Sequence, residues 1–243
     1  MEFLRVASGG TAASLAVLRG DDESLPPRAS ALVRLAVNLT AQPWALSPAA
    51  AEDVRRQGVD GEQFEAVVGV ISMFNYFTRV ADATGIEFDY LTPLPAFEPD
   101  LDQATAPRPD RSDSFGRPAG PRQRPRRAPF RAAWESWRAY VLEGSPLLGQ
   151  RERRLLACIA AEEAGDWEGA EELGGVKPAE DGDDRLAGFA RKLSREPWRM
   201  EERDVESLRA AGHQEPAVLH VISVVAHQNA DSRLALGLGV ASG

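Results

Sequence analysis

Three ionisable residues late in the chain have the types and spacing of a proton-transfer site. His227 and Asp231 are four residues apart, and His220 precedes them on the same helical face. A carboxylate one turn from an imidazole fixes its tautomer and raises its basicity, as a general base requires. His220, two turns earlier, would let both imidazoles reach one cavity, His227 as base and His220 as a second proton carrier. The competing reading is that this face is exposed and the three side chains are solvated. A metal held by all three is disfavoured, because ions bound on one helix take ligands three or four positions apart. Asn229 and Arg233 also lie one turn apart and suit holding the carboxylate or carbonyl of a small substrate. The preferred alternative is structural: the arginine caps a helix end or pairs with a carboxylate elsewhere, because buried charges are usually paired.

The Asn–Arg pair occurs twice. Asn75 and Arg79 stand 154 residues before Asn229 and Arg233. The same shift carries Leu39 onto Leu193, Pro43-Trp44 onto Pro197-Trp198, Arg55 onto Arg209, Gly58 onto Gly212 and Ala81 onto Ala235. Tryptophan does not stay in register by chance, so the chain reads as a duplicated unit. The comparison also isolates the chemistry. Ala66, Met73 and Phe77 of the first copy correspond to His220, His227 and Asp231 of the second, so an apolar stripe has become an ionisable one.

The elements that position these residues read as helices. Residues 30–39 carry Leu32, Leu35, Ala36 and Leu39 at helical spacing, and the Pro26-Pro27 pair before them reads as loop. Ser47-Pro48 suits a helix start, and Gly58 a stop. Asp60-Gly61-Glu62-Gln63 has the form of a capping box opening a long helix over 62–83, closed by Gly85. Residues 92–129 are rich in Pro and Arg and lack periodicity. They read as a solvated linker, disordered in its middle, lying on the acidic body of the same protein, in preference to an anion or nucleic-acid contact, because no aromatic residues interleave with its arginines. Further helices are expected at 130–142, with Trp134, Trp137 and Val141 on one stripe, and at 151–163, 166–173, 185–193, 201–211 and 216–236. No segment alternates with period two, so no sheet is expected.

Composition narrows the functional classes. The 243 residues carry a net charge of −9, which disfavours nucleic acid and anionic lipid as partners. The single cysteine, Cys158, excludes an internal disulfide, a Cys-x-x-Cys redox pair and a thiolate metal cage, and its apolar surroundings read as core. No apolar run reaches the length of a membrane span, and the N-terminus lacks a signal-peptide pattern. A cytoplasmic location follows as an expectation.

The pattern Phe189-Ala190-Arg191-Lys192-Leu193-Ser194, Pro197-Trp198, Asp204-Val205, Leu208-Arg209-Ala210-Ala211-Gly212 and Ala226-His227-Gln228-Asn229 with Arg233-Leu234 resembles the alkylhydroperoxidase (AhpD-like)/carboxymuconolactone decarboxylase superfamily, in its peroxidase-related branch. Residues 35–44, 54–58 and 73–81 repeat that half. The resemblance covers roughly residues 30–90 and 145–240. It implies an all-helical, oligomeric protein. Redox members of the family carry a Glu, a Cys-x-x-Cys pair and a proton-relaying His. Here Arg154 stands at the Glu position, Asp166 and Gly169 at the cysteines, and Leu173 at the His, so peroxidase chemistry is excluded by inventory.

The expected fold is therefore all-α, with two tandem AhpD-like units, 1–91 and 130–243, packed pseudo-symmetrically through their long helices and joined by the linker 92–129. A dimer or trimer is expected. The expected function is that of a cofactor-independent, metal-free enzyme of lyase or isomerase type. It would act by proton transfer, decarboxylation or lactone chemistry on a small carboxylate- or carbonyl-bearing substrate. His227, Asp231 and His220 would be catalytic, and Asn229, Arg233, Asn75 and Arg79 would bind substrate. The alternative is a non-catalytic relative that binds a ligand or protein partner.

Overall fold

The computed structural model describes residues 12–86, 108–109, 122–179 and 181–241, and among these there are ten α-helices and no strand. In chain order they are α1 (Ala12–Arg19), α2 (Pro27–Ala41), α3 (Pro48–Arg56), α4 (Gly61–Thr84), α5 (Ala128–Ala139), α6 (Gln150–Glu163), α7 (Trp167–Glu172), α8 (Asp181–Arg195), α9 (Glu202–Ala210) and α10 (Glu215–Gly239). A single wide helical turn, Tyr140–Gly144, extends α5. The bounds repeat as the sequence does. α2, the short turn Pro43–Ala45 and α3 recur 154 residues later as α8, Pro197–Arg199 and α9, with the same lengths, and α4 and α10 start 154 residues apart.

Local chemistry sets the ends of α4. Asp60 Oδ1 accepts from the Gln63 backbone N–H at 2.8 Å, and Gln63 Oε1 accepts from the Asp60 N–H at 3.3 Å. Two of the helix's otherwise unpaired donors are thereby satisfied. At the other end Gly85 takes φ +65°, a left-handed conformation open to a residue without Cβ. The start of α2 differs from expectation: Pro26 lies outside the helix, but Pro27 is its first residue. Proline fits there because its fixed φ is helical and the N–H it lacks has no intrahelical partner in the first turn. Ser47 precedes Pro48 as expected, but its hydroxyl makes no capping bond.

Two apolar cores form, and the long helices exchange their C-terminal halves between them. The first core gathers Leu35, Leu39, Val54, Phe64 and Val68 with Leu234 and Leu238 from the end of α10. The second gathers Leu155, Leu156 and Ile159 of α6, Phe189 and Leu193 of α8, and Val221, Ile222 and Val225 from the first half of α10, with Ala83 from the end of α4. α5, assigned by sequence to the second unit, sends Trp134 into the first core. Its Phe130 lies over Gly69, where an added Cβ would come 2.8 Å from the ring. Most of the linker lies outside the described residues. Its last part, residues 122–127, runs over the body: the Gln123 N–H donates to the Ala235 carbonyl at 3.2 Å, and the Arg126 and Arg127 N–H groups donate to Glu65 at 2.7 and 3.2 Å. Among the described residues no helix is long and apolar enough to cross a membrane.

The exchange depends on close approach. A Cβ on Gly237 of α10 would meet Val68 Cγ1 at 2.8 Å and Leu39 Cδ2 at 3.1 Å, whereas one on Gly188, on the exposed side of α8, would meet nothing within 4 Å. Gly188→Ala should therefore raise stability by up to about 1 kcal/mol from helix propensity. Gly237→Ala should lower it by about 1–3 kcal/mol, because overpacking outweighs the same propensity gain. Urea midpoints read both, and an equal effect of the two would contradict the packing.

Candidate functional site

The seven residues singled out by sequence all lie on α4 and α10, and the fold brings them together in two groups. Asn75, Arg79, Asn229 and Arg233 form one. Each Asn is tied to its own helix and to the last turn of another helix in the same half of the chain, α2 for Asn75 and α8 for Asn229. Asn75 Nδ2 donates to the Ile71 carbonyl at 3.0 Å and to Thr40 Oγ1 at 2.9 Å, and Asn229 Nδ2 donates to the Val225 carbonyl at 3.0 Å and to Ser194 Oγ at 2.8 Å. Each Arg donates to its Asn side-chain oxygen at 2.9 Å and then crosses to the other unit. Arg79 reaches the Ser194 carbonyl at 2.8 Å, in the last turn of α8, and Arg233 reaches the Thr40 carbonyl at 2.8 Å, in the last turn of α2.

Carbonyls in a helix's last turn have no intrahelical partner and carry the negative end of its dipole, so a guanidinium is a favourable cap. The acceptors in these bonds are neutral, however, and burial dominates the ionisation. Burial lowers the Arg79 pKa to about 10, with Asp82 opposing. Burial first and the neighbouring Arg79 second push Arg233 well below its ordinary value.

The second group is built around α10. His220, His227 and Asp231 are all buried, at 5%, 0% and 1% exposure, so the solvated face considered from sequence is not what forms. The two imidazoles have separate surroundings. His220 Nε2 lies 3.1 Å from the Val141 carbonyl. A carbonyl only accepts, so this nitrogen carries the proton. Burial lowers the His220 pKa, and the bond to Val141 opposes the shift. His227 packs edge-on to Trp137, ring centres 4.5 Å apart, and at a tilt to Trp134 at 6.1 Å. Among the described residues neither of its ring nitrogens has a hydrogen-bond partner. Burial pulls its pKa to about 4, although Asp231 acts the other way.

Asp231 is held by other groups. Trp134 Nε1 donates to Oδ1 at 2.8 Å, Arg124 Nη1 donates to Oδ1 at 2.9 Å, and Arg122 Nη2 donates to Oδ2 at 2.9 Å. Burial would raise this carboxyl, but the two arginines outweigh it and hold the pKa below the ordinary aspartate value. Arg122 also pairs with Asp166, the N-cap of α7, so one guanidinium joins two buried carboxylates. With both oxygens of Asp231 taken up by cationic donors, a metal would meet repulsion there. Among the described residues no group of three His, Cys, Asp or Glu could hold one.

The sequence placed the arginines of the linker against the acidic body, but not the pairing of Arg122 with Asp166 and Asp231, that of Arg124 with Asp231, or the bond from the Trp134 indole. The available signal was the alternation of Arg122 and Arg124 beside a stripe with an unpartnered acid, and no periodic pattern connects the two. Arg154 is exposed. Cys158 is fully buried, and burial raises its thiol pKa, so it does not present a reactive thiolate. An open groove of about 490 Å³ lies at the start of α4, lined by Asp60, Gly61, Glu62, Glu65, Arg126 and Arg127. Comparison of the chain with protein-family models, with curated proteins and with solved structures yields no match.

His227 should make stability pH-dependent with a definite sign. Its folded pKa of about 4 lies below the ordinary 6.5, so protons prefer the unfolded chain, and stability present above pH 6.5 is lost as pH falls toward 4. The loss amounts to about 3 kcal/mol. His227→Met, which installs the residue found at position 73 of the other unit, should keep or raise stability at pH 7 and remove this part of the acid sensitivity. Urea unfolding at pH 7, 5.5 and 4 checks it, and identical pH profiles for the two proteins would mean that the imidazole is solvated.

Proposed function

We propose that this chain is an AhpD-like helical protein, built from two copies of one unit, that binds a ligand or partner without transforming it. The observation that carries the reading is the position of Arg122, whose guanidinium lies between Asp166 and Asp231 and pairs with both. A general base needs an orienting acid and a pKa near the working pH. Here the candidate acid is given to Arg122, Arg124 and Trp134, and the candidate base has a pKa of about 4. His220 is committed to Val141, and the Asn–Arg pairs are committed to helix ends. The family resemblance supports the helical class, and the repeat of element bounds at 154 residues supports the duplication. A cytoplasmic setting suits the acidic composition and the single buried thiol. The groove at the start of α4, which presents acidic and basic side chains together, is where a small polar ligand would sit.

One observation favours catalysis as a second reading: among the described residues, the two nitrogens of His227 have no hydrogen-bond partner. A buried donor without a partner costs about 1–3 kcal/mol, and such groups often serve chemistry. Were residues 122–127 to lift, His227 and Asp231 would face an opening together. They could then act as base and orienting acid on a carboxylate- or carbonyl-bearing molecule, with no cofactor.

Mass spectrometry of small molecules released from the purified protein, followed by their re-incubation with wild type and His227→Met, separates the two. The expected result is a released molecule, if any, that neither protein alters. A product formed by wild type and not by His227→Met would overturn the binding reading and establish the catalytic one.

A further inference from the structure

The buried carboxylates of Asp166 and Asp231 share one guanidinium, and their oxygens fall into two sets. One oxygen of each is held by the scaffold. Asp166 Oδ1 accepts from the Gly169 backbone N–H at 3.1 Å, and Asp231 Oδ1 accepts from the Trp134 indole at 2.8 Å and from Arg124. The other oxygen of each holds Arg122, Asp166 Oδ2 through Nη1 and Asp231 Oδ2 through Nη2. Gly169 makes the room, since a Cβ there would overlap Nη1. The helical unit itself has no need of this arrangement. In the first half of the chain the 154-residue shift puts Ala12, Leu15 and Phe77 where the second half has Asp166, Gly169 and Asp231.

The group that fills the site is its least well-fitted part. Arg122 Nε is buried, lies 3.8 Å from Glu172, and has no hydrogen-bond partner among the described residues. The segment that carries it does not close fully on the body: a cavity of about 40 Å³ lies between Gln123, Arg124 and Arg126 on one side and Phe64 and Leu238 on the other. His227, fully buried one turn before Asp231, has two nitrogens that nothing among the described residues engages.

We propose that Asp166 and Asp231 form a receptor for the guanidinium group of a small guanidino compound, and that Arg122 occupies it from within the chain and yields it by exchange. Electrostatics requires exchange rather than simple opening. Two buried carboxylates left without a cation are strongly destabilising, so Arg122 leaves as another cation enters. The site selects which cation. A guanidinium reaches two carboxylates with separate N–H groups in one rigid plane, whereas an ammonium is a compact point charge. A ligand whose chain also carries an oxygen acceptor would meet the ring N–H of His227, which Arg122 leaves unbonded. Only Arg122 and Gln123 need lift, since Arg124 stays on Asp231 and the Arg126 and Arg127 amides stay on Glu65. This receptor is distinct from the groove at the start of α4, and it does not depend on whether His227 does chemistry.

Titration of the full chain with ethylguanidinium chloride, followed by the NMR signal of the Trp134 indole N–H, tests the proposal. A tethered competitor acts at millimolar effective concentration, so the probe is taken to about 50 mM, against ethylammonium chloride at equal ionic strength. Arg122→Ala is expected to bind ethylguanidinium saturably, and ethylammonium about tenfold more weakly or not at all. Wild type is expected to bind ethylguanidinium about tenfold more weakly than Arg122→Ala, because its site is vacant only part of the time. In step with that binding, the Gln123 amide, which donates to Ala235, should exchange faster with solvent, while the Arg126 and Arg127 amides should not. Asp166→Asn, which keeps a good N-cap for α7, should abolish the response. A wild type that does not respond, or that responds equally to the two cations, overturns the proposal. So does binding that leaves Gln123 exchange unchanged or survives Asp166→Asn. The wild-type titration decides even where Arg122→Ala fails to fold.

Discussion

Burial of α10 is the constraint from which the rest of the molecule follows. From Ala217 to Gly239 nearly every side chain on this helix is shielded from water, although its sequence carries two histidines, an aspartate, an arginine, an asparagine and a glutamine. Each polar group removed from water must find a partner inside the protein or destabilise it. The architecture is largely the set of partners found. Arg233 reaches the last turn of α2, Asn229 reaches Ser194, His220 reaches the carbonyl at Val141, and Asp231 draws in Trp134 together with two arginines from residues 122–127. Among the described residues His227 alone of the ionisable groups of this helix receives none.

The corresponding helix α4 meets the same requirement at its centre and avoids it at its outer face. Asn75 and Arg79 repeat the bonds of Asn229 and Arg233, each arginine capping a helix of the opposite unit. The reciprocal caps and the apolar contacts that each long helix makes with the other core lock the two halves of the chain into one body. On the outer face, Met73 and Phe77 stand where α10 has His227 and Asp231. With no charge to neutralise there, no arginine-bearing segment is needed over them.

Residues 122–127 show how composition and position can disagree. Proline and arginine without periodicity describe a solvated connector, and by composition alone that is a sound inference. Against the body, however, Arg122 is among the best-buried cations, because Asp166 and Asp231 lie within reach of one guanidinium. An ion pair removed from water stabilises only when its remaining donors and acceptors are also met. Here Arg122 Nε, 3.8 Å from Glu172, has no hydrogen-bond partner among the described residues, and backbone bonds to Ala235 and Glu65 hold the segment in register.

Local rules were legible without coordinates. The Asp60–Gln63 box, the glycine stop at Gly85, the helical class and the 154-residue correspondence of elements are all governed by neighbouring residues or by repetition. The Asn–Arg pairs were visible as pairs. Their targets were not, since Thr40 and Ser194 are brought to them only when the two units dock. The ionisable stripe of α10 was equally visible, but its environment was decided elsewhere. Whether His220, His227 and Asp231 meet water, each other or arginine depends on where α5 and residues 122–127 come to rest. That is a matter of long-range packing and of charge neutralised at low dielectric, and nothing in the spacing of these three residues encodes it.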